Sequence, residues 1–416
     1  MPFPPEQSRN KPIPLWLDVD TGHDDAFALL LAACHPDLHL LGVSTTYGNA
    51  SLAHTTYNTR AVLKALGRER DVRVWPGAAK PKWREVCEAE EIHGESGLDG
   101  TVGLPVPKMG GDVEGESGGD GVGVMMDAMA EALMATEKGS SWIVATGALT
   151  NVAMVFATHP ELVEHIAGLS VMGGAIGGGF SGGAAARVMD SNGNGDCDGD
   201  GGVEGGNVGG RIGNWTRYAE FNIYIDPESA KAVLEENLPL ARKTTLVTLD
   251  VTHQFLATEA VQTGLRDGFD RASGGGDGAA QRTKIKKADE EERLSPIRPL
   301  FLSILTYFTQ TYAQHFALTA GPPLHDPLAV AAVLMPDAFS DWGGERWNLQ
   351  VVTEGVHGPK GKEGVEGSQC GRTVARRVEG DGGGARIPRG LVDEGRGVWR
   401  VLEECLGRAE RAVGGR

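Results

Sequence analysis

Cysteine, long apolar runs and positive charge are all scarce in this sequence, and each shortage excludes a class of protein. The 416 residues include five cysteines and no C-x-x-C pair, which disfavours a disulfide framework or a zinc site. No stretch approaches the ~18 consecutive apolar residues of a membrane span, and the proline-rich start lacks the apolar core of a signal peptide. We therefore expect a cytoplasmic protein that is not associated with a membrane.

The balance of charge limits the partners in the same way. Asp and Glu number 56 against 39 Lys and Arg, which gives a net charge of -17 at pH 7. A surface of this sign repels phosphate backbones, so the sequence predicts no nucleic-acid partner. Cations and small uncharged molecules are the expected ligands.

Glycine, by contrast, is abundant and clustered, with 61 residues in the chain. Four stretches combine glycine with charged residues and hold few large apolar side chains: 109–123, 177–212, 267–294 and 357–390. Such segments bury too little surface to offset the entropy lost on ordering. We interpret them as surface insertions into a single domain spanning 13–416, preceded by a disordered tail at 1–12.

Apolar runs alternate with segments of helical spacing along the rest of the chain. Strands are predicted in PLWLDVD, LHLLGVSTTYGN, SSWIVATGALTN, LSVMGGA, AEFNIYID and TTLVTLDVT, and a long helix in PLFLSILTYFTQTYAQHF. Alternation of strand and helix favours an α/β fold with an open, mainly parallel sheet flanked by helices.

Four aspartates lie within eight residues directly after the first predicted strand: Asp18, Asp20, Asp24 and Asp25. In α/β proteins, ligands bind at the carboxyl ends of parallel strands. Carboxylates packed this densely repel one another unless they are solvated or share a cation. Hard oxygen ligands favour calcium or magnesium over zinc, so the cluster predicts a site for one of these ions.

Two other acidic motifs have a spacing that does not fit this sequence. The run that begins at Asp190 resembles an EF-hand loop, but Gly201 stands at position twelve, where a bidentate Glu belongs. Haloacid dehalogenase phosphatases also start with a strand ending in D-x-D. Here Thr21 comes one residue too early for their signature, and the pair Asp24 and Asp25 is foreign to it.

The string LDVDTGHDDAFAL resembles the N-terminal signature of the inosine–uridine-preferring nucleoside hydrolase family. Further segments match the family in order: TTYGN at 45–49, IHGESGL at 92–98, ATGALTNVA at 145–153, VMGGA at 171–175, GNWTRYAEFNIYIDPESA at 213–230 and HDP at 325–327. The match covers the chain outside the four glycine-rich stretches. It implies an open α/β sheet with a Rossmann-like core and a Ca²⁺ ion at the bottom of a pocket.

The resemblance also assigns roles to individual residues. It implies calcium ligands at Asp20, Asp25, Asp326 and the carbonyl of Thr146, with Asp18 beside the ion, and it makes Asp20 the general base. Ribose-binding positions correspond to Asp24, Asn49, Met172, Asn214, Glu220 and Asn222. His325 is the implied proton donor to the leaving base, and His93 an implied base contact. Phe308 and Tyr312 share a helix face that either meets the base or packs in the core.

The implied activity is calcium-dependent hydrolysis of ribonucleosides of the uridine or inosine type, in nucleoside salvage or catabolism. The implied assembly is a homo-oligomer, a dimer or a tetramer. Two alternatives stay open at this point: a non-catalytic nucleoside-binding protein and a metal-dependent phosphatase. The preferred base is left open as well.

Overall fold

The computed structural model of the protein describes residues 11–108, 121–181, 211–269, 296–379 and 383–414. Six parallel strands form the central sheet in the order β3-β2-β1-β4-β5-β6. These strands are β1 (Ile13–Val19), β2 (Leu38–Thr45), β3 (Val74–Pro76), β4 (Trp142–Ala145), β5 (Gly168–Met172) and β6 (Thr244–Val247). The predicted parallel sheet is therefore confirmed.

Helices cover both faces of the sheet. They are α1 (Asp25–Cys34), α2 (Leu52–Ala65), α3 (Glu90–His93), α4 (Gly121–Met134), α5 (Thr150–Thr158), α6 (Leu162–His165), α7 (Phe221–Ile225), α8 (Pro227–Lys231), α9 (Leu238–Ala241), α10 (Leu249–Thr252), α11 (Glu259–Asp267), α12 (Ile297–Phe316), α13 (Asp326–Leu334) and α14 (Arg396–Gly414). Among the residues that the structure describes, no helix is long and apolar enough to cross a membrane.

Alternation along β1 explains how one strand serves two cores. Leu15 and Leu17 pack with α1, α12, α13 and α14 on one face, whereas Trp16 packs with α4 and α5 on the other. All three side chains are fully buried. Successive strand residues point to opposite faces, so a strand buried on both sides must be apolar throughout.

The strand order of the sheet reverses between β1 and β4, and a crevice is expected at the carboxyl ends of these two strands. The chain runs from β1 outward to β2 and β3, then returns to pair β4 with the free side of β1. Asp18 of β1 is in register with Ser44 of β2 on one side and with Ala145 of β4 on the other. A crevice opens at the carboxyl ends of strands where their order reverses. Asp20 and Thr146 follow the two strands that flank it.

The strand predicted within residues 219–226 is wrong, because the structure forms helix α7 there. The Glu220 carboxylate accepts hydrogen bonds from the backbone N–H groups of Asn222 and Ile223, which caps the helix at its start. The sequence FNIYI is rich in β-branched and aromatic residues, which favour strands. Local capping and complete burial of the segment override that preference.

The structure describes only part of the four glycine-rich stretches and of the N-terminal tail. The expectations for 1–10, 109–120, 182–210 and 270–295 lie outside the described residues. The stretch 357–390 differs from the expected loose insertion, since it contains strand β9 (Thr373–Arg377). This strand pairs antiparallel with β8 (Trp347–Val351). A second small pair joins β7 (Phe339–Ser340) and β10 (Gly390–Leu391).

Candidate active site

The turn between β1 and α1 gathers the aspartates that follow the first strand. Asp24 occupies the N-cap position of α1, and Asp25 is its first residue. The N–H of Gly22 donates to Oδ2 of Asp25 over 2.8 Å, which closes the turn. The partial positive charge of a helix N-terminus favours carboxylates at this position.

A third carboxylate joins this pair from the far end of the chain. Asp326 is the first residue of α13, and one oxygen of each of Asp24, Asp25 and Asp326 lies within 4.8 Å of the others. All three residues are buried. The trio could hold a metal ion. It includes two of the predicted calcium ligands, Asp25 and Asp326, but its third member is Asp24, a predicted ribose contact, and not Asp20.

Buried oxygens without partners adjoin the trio. In the described part of the chain, Oδ1 of Asp20 and Oδ2 of Asp18 have no hydrogen-bond partner. Burial, with repulsion from Asp25 and Asp24, raises the pKa of Asp20, and burial raises the pKa of Asp18 to about 7. Unpaired buried carboxylates are costly unless a cation shares their charge. Carboxylate oxygens are the ligands that calcium and magnesium prefer, so the residues fit such an ion.

The backbone around Asp20 must approach its side chain closely. A Cβ at Gly48, where φ is +151°, would stand 2.1 Å from Oδ2 of Asp20, and a Cβ at Gly147 would stand 2.9 Å from its carboxyl carbon. The N–H of Asn49 donates to Oδ2 over 2.9 Å. Glycine at 48 and 147 is therefore required by the fixed position of the Asp20 carboxylate.

Asp18 belongs to strand β1, two residues before Asp20, and is fully buried. Its Oδ1 accepts hydrogen bonds from the Ser44 hydroxyl and from Nδ2 of Asn151, the latter over 2.8 Å. These contacts hold Asp18 against β2 and α5, and it is outside the close trio of carboxylates.

A cleft open to solvent lies at the carboxylates of Asp24 and Asp326, and polar and aromatic side chains line it, as they line small-molecule sites. Ten of the residues predicted for the site line it: Asp24, Asn49, His93, Thr146, Met172, Asn214, Glu220, Asn222, His325 and Asp326. Asp18, Asp20 and Asp25 do not line the cleft. Ten of the thirteen predicted residues therefore line one cleft, on both of its sides.

Amide and carboxylate groups on one side of the cleft hold each other in place. Nδ2 of Asn222 donates to the carbonyl of Thr146 over 2.7 Å, and Nδ2 of Asn49 donates to Oδ2 of Asp25 over 3.1 Å. Glu220 accepts the N–H of Gly174 over 2.9 Å in addition to its capping bonds. Side chains fixed by such bonds are preorganised to bind hydroxyl groups.

The other side of the cleft carries histidine and aromatic rings. Nε2 of His325 lies 2.8 Å from the hydroxyl of Tyr312, and its Nδ1 lies 2.7 Å from the hydroxyl of Thr252. Phe308 packs edge-on against Tyr312 with ring centroids 4.6 Å apart. Phe308 and Tyr312 both line the cleft, so this helix face meets the pocket as well as the core.

His93 is oriented by a second histidine. Nε2 of His23 lies 3.0 Å from the carbonyl of Asp99, which can only accept, so this nitrogen carries the proton. Nδ1 of His23 lies 3.2 Å from Nδ1 of His93, and that nitrogen of His93 also accepts the backbone N–H of His23 over 3.3 Å. Burial lowers the pKa of His23 to about 4, so the ring stays neutral. These contacts hold the His93 ring in the wall of the cleft.

Six lining residues were not predicted: Ala89, Ile92, Trp215, Phe221, Phe316 and Lys360. Phe316 lies four residues after Tyr312 on α12, so helical spacing would have found it. Trp215 follows Asn214 directly. Lys360 belongs to the segment between β8 and β9, and no periodicity or motif in the sequence signals its place.

Residues 15–396 match the sequence profile of the family described as inosine-uridine preferring nucleoside hydrolase. The chain belongs to this family. Nucleoside hydrolases act on N-glycosyl bonds, and the protein is accordingly a ribonucleoside hydrolase.

Similarity to individual nucleoside hydrolases extends over most of the chain. It is 33% identical to a uridine nucleosidase of Saccharomyces cerevisiae, over 77% of this chain and 76% of that protein. It is 32% identical to the pyrimidine-specific ribonucleoside hydrolase RihA of Salmonella agona, over 83% and 86%. A solved purine-preferring ribonucleoside hydrolase from Gardnerella vaginalis shares the fold, with a TM-score of 0.67, 22% identity, and coverage of 95% and 99%.

Proposed function

We propose that this nucleoside hydrolase uses a calcium ion to hydrolyse ribonucleosides of the uridine type, giving free base and ribose. The observation that carries the proposal is the buried Oδ1 of Asp20, without a partner, next to the trio Asp24, Asp25 and Asp326. The names of the yeast and Salmonella relatives support a pyrimidine nucleoside. Inosine is tested as well, because the family resemblance, which includes His325, implies substrates of the uridine or inosine type.

We assign the ion's ligands to the carboxylates of Asp20, Asp25 and Asp326 and the carbonyl of Thr146, with Asp18 beneath them. Calcium accepts six to eight oxygen ligands in flexible geometry, which suits a crowded set of carboxylates better than the strict octahedron of magnesium. When bound, the ion supplies Lewis acidity and a fixed position for the attacking water. The carbonyl of Thr146 already accepts the Asn222 amide, and its second lone pair is available.

Asp20 is the general base in this proposal. Its Oδ2 is held by the N–H of Asn49, while its Oδ1 is free to take a proton. The water oxygen bonds to C1′ of the ribose as the bond from C1′ to the base nitrogen breaks. One water proton passes to Asp20, and the departing nitrogen receives a proton from the opposite side of the cleft.

The proton donor on that side is the pair formed by His325 and Tyr312. Both ring nitrogens of His325 are bonded to hydroxyls, so the Tyr312 hydroxyl is the group that reaches toward the base. Burial raises the pKa of Tyr312, which keeps the phenol protonated. His93 contacts the base from the neighbouring wall.

Ribose recognition uses the polar wall of the cleft. We assign hydroxyl contacts to Asp24, Asn49, Asn214, Glu220 and Asn222, with Met172 packing against the sugar. A site built to hydrogen-bond hydroxyls leaves its own buried groups unpaired when a hydroxyl is missing. Deoxyribonucleosides should therefore be poor substrates.

An assay on a panel of substrates distinguishes the proposed hydrolase from a phosphatase and from a nucleoside-binding protein. The protein is incubated with uridine, cytidine, inosine, 2′-deoxyuridine and a phosphomonoester, and free ribose and phosphate are followed. Ribose from uridine supports the proposal. Phosphate release would instead support the phosphatase, and nucleoside binding without ribose would support the binding protein.

The family resemblance also supports a cytoplasmic homo-oligomer, a dimer or tetramer, acting in nucleoside salvage. Light scattering on the purified protein measures the mass of the assembly directly. A monomeric mass of 43.9 kDa would contradict the oligomer.

A further inference from the structure

One cation reaches the cleft from a segment that the predicted site did not include. Lys360 lies between β8 and β9, and in the described part of the chain it is the only lysine or arginine that lines the cleft. The remaining lining residues carry carboxylates, amides, hydroxyls, histidine rings and apolar or aromatic groups. A single ammonium in such a cleft favours ligands that present a hydrogen-bond acceptor to it.

Three contacts fix the ammonium of Lys360. Its Nζ donates to the Glu91 carboxylate over 2.9 Å, and Glu91 lies on α3 two residues before His93. The same Nζ lies 5.4 Å from the ring centroid of Trp215 and 5.8 Å from that of Phe316. An ammonium carries three N–H donors, and Glu91 accepts one of them.

The position of Lys360 relative to a substrate follows from the proposed function, on which this inference rests. With ribose on the carboxylates, the base lies along the ring stripe formed by Phe308, Tyr312 and Phe316. Phe316 is the last residue of α12, and its ring lies 5.0 Å from that of Tyr312. Lys360, over Phe316, therefore meets the edge of the base that is remote from the sugar.

We propose that Lys360 is a specificity-determining residue that selects bases with a carbonyl oxygen at this remote edge, as in uracil, over bases with an amino group there, as in cytosine. An ammonium donates hydrogen bonds and accepts none. The Lys360 ammonium can therefore donate a hydrogen bond to a carbonyl oxygen of the base. An amino group at the same position would face the ammonium as donor against donor, and no hydrogen bond would form. The electron pair released on cleavage spreads onto that carbonyl, so the contact strengthens in the transition state.

The test is the ratio of kcat/KM for uridine to that for cytidine, measured in one competition assay. The wild type favours uridine. Lys360→Met keeps the aliphatic stem over Trp215 and removes the donor, and it lowers the ratio at least about tenfold. Lys360→Arg retains a cation and most of the preference. Glu91→Gln frees a further donor on Lys360 and leaves the preference for uridine in place.

Lys362→Met is the matched control. Lys362 lies in the same segment and pairs with Glu85 over 3.1 Å, but it does not line the cleft. Its replacement leaves the ratio unchanged. Equal losses on both nucleosides in Lys360→Met, with the ratio preserved, would overturn the inference and leave the hydrolase intact. Wild-type protein that releases ribose from neither nucleoside contradicts the proposed function instead, and the ratio of dissociation constants, by calorimetry, then decides the role of Lys360.

Discussion

The hydroxyl of Tyr312 lies 2.8 Å from Nε2 of His325, at the wall of the cleft that faces the carboxylates. Thr252 holds the other ring nitrogen of His325 at 2.7 Å. The imidazole is thus fixed at both nitrogens, and in the proposed mechanism the Tyr312 hydroxyl is the group that protonates the leaving base.

Replacing Tyr312 by Phe keeps the ring and removes this hydroxyl. We expect kcat for uridine to fall by about 10²-fold, the lower end of the usual effect of a positioned acid, with a small change in KM. A ribosyl substrate with an activated leaving group, such as nitrophenyl riboside, needs no protonation and should lose little. Steady-state kinetics on both substrates gives the comparison.

Tyr307→Phe is the control for that experiment, since it makes the same change five residues earlier on α12, at a ring that stacks on His23. It should leave kcat near the wild-type value. If Tyr312→Phe slows both substrates equally, Tyr312 only shapes the pocket.

Calcium should stabilise the folded protein measurably. The proposed ligands Asp20, Asp25 and Asp326 come together only in the native state, so an ion that binds there adds about 2.7 kcal/mol to the free energy of unfolding at one hundred times its dissociation constant. Melting temperatures with calcium and with a chelator should differ by several degrees. Asp326→Asn should remove most of that difference, and identical melting curves for the wild type would contradict an ion site at these carboxylates.

Gly48→Ala probes the tight packing around Asp20. The new Cβ would stand 2.1 Å from Oδ2 of Asp20 at a φ of +151°, so the carboxylate or the backbone must move. We expect a loss of about 2 kcal/mol in the free energy of unfolding, with loss of activity. Gly367→Ala is the matched control, because a Cβ there meets nothing within 4 Å. Equal stability of the two variants would show that the approach to Asp20 is not restrictive.

The sheet and the floor of the site were predictable because their signals are local. Apolar runs that end in acids identified β1 and the aspartates, and parallel strands bring their carboxyl ends to one edge. The helix at 221–225 was missed because its composition favours a strand, whereas the Glu220 cap, set by tertiary contacts, decides the outcome. Lys360 was missed because its place depends on the path of a loop, which leaves no periodic pattern in the sequence.

Ribose release from uridine by the wild type and by Asp20→Asn, each with calcium and with chelator, tests directly whether a calcium ion and the Asp20 carboxylate carry the reaction. The amide keeps the shape of the side chain and cannot take a proton. We predict that the wild type releases ribose only with calcium, and that Asp20→Asn keeps the fold while its kcat is lower by about 10²- to 10⁴-fold. Near-normal turnover by Asp20→Asn would contradict the role of Asp20 as general base. Full activity of the wild type in chelator would contradict the calcium dependence.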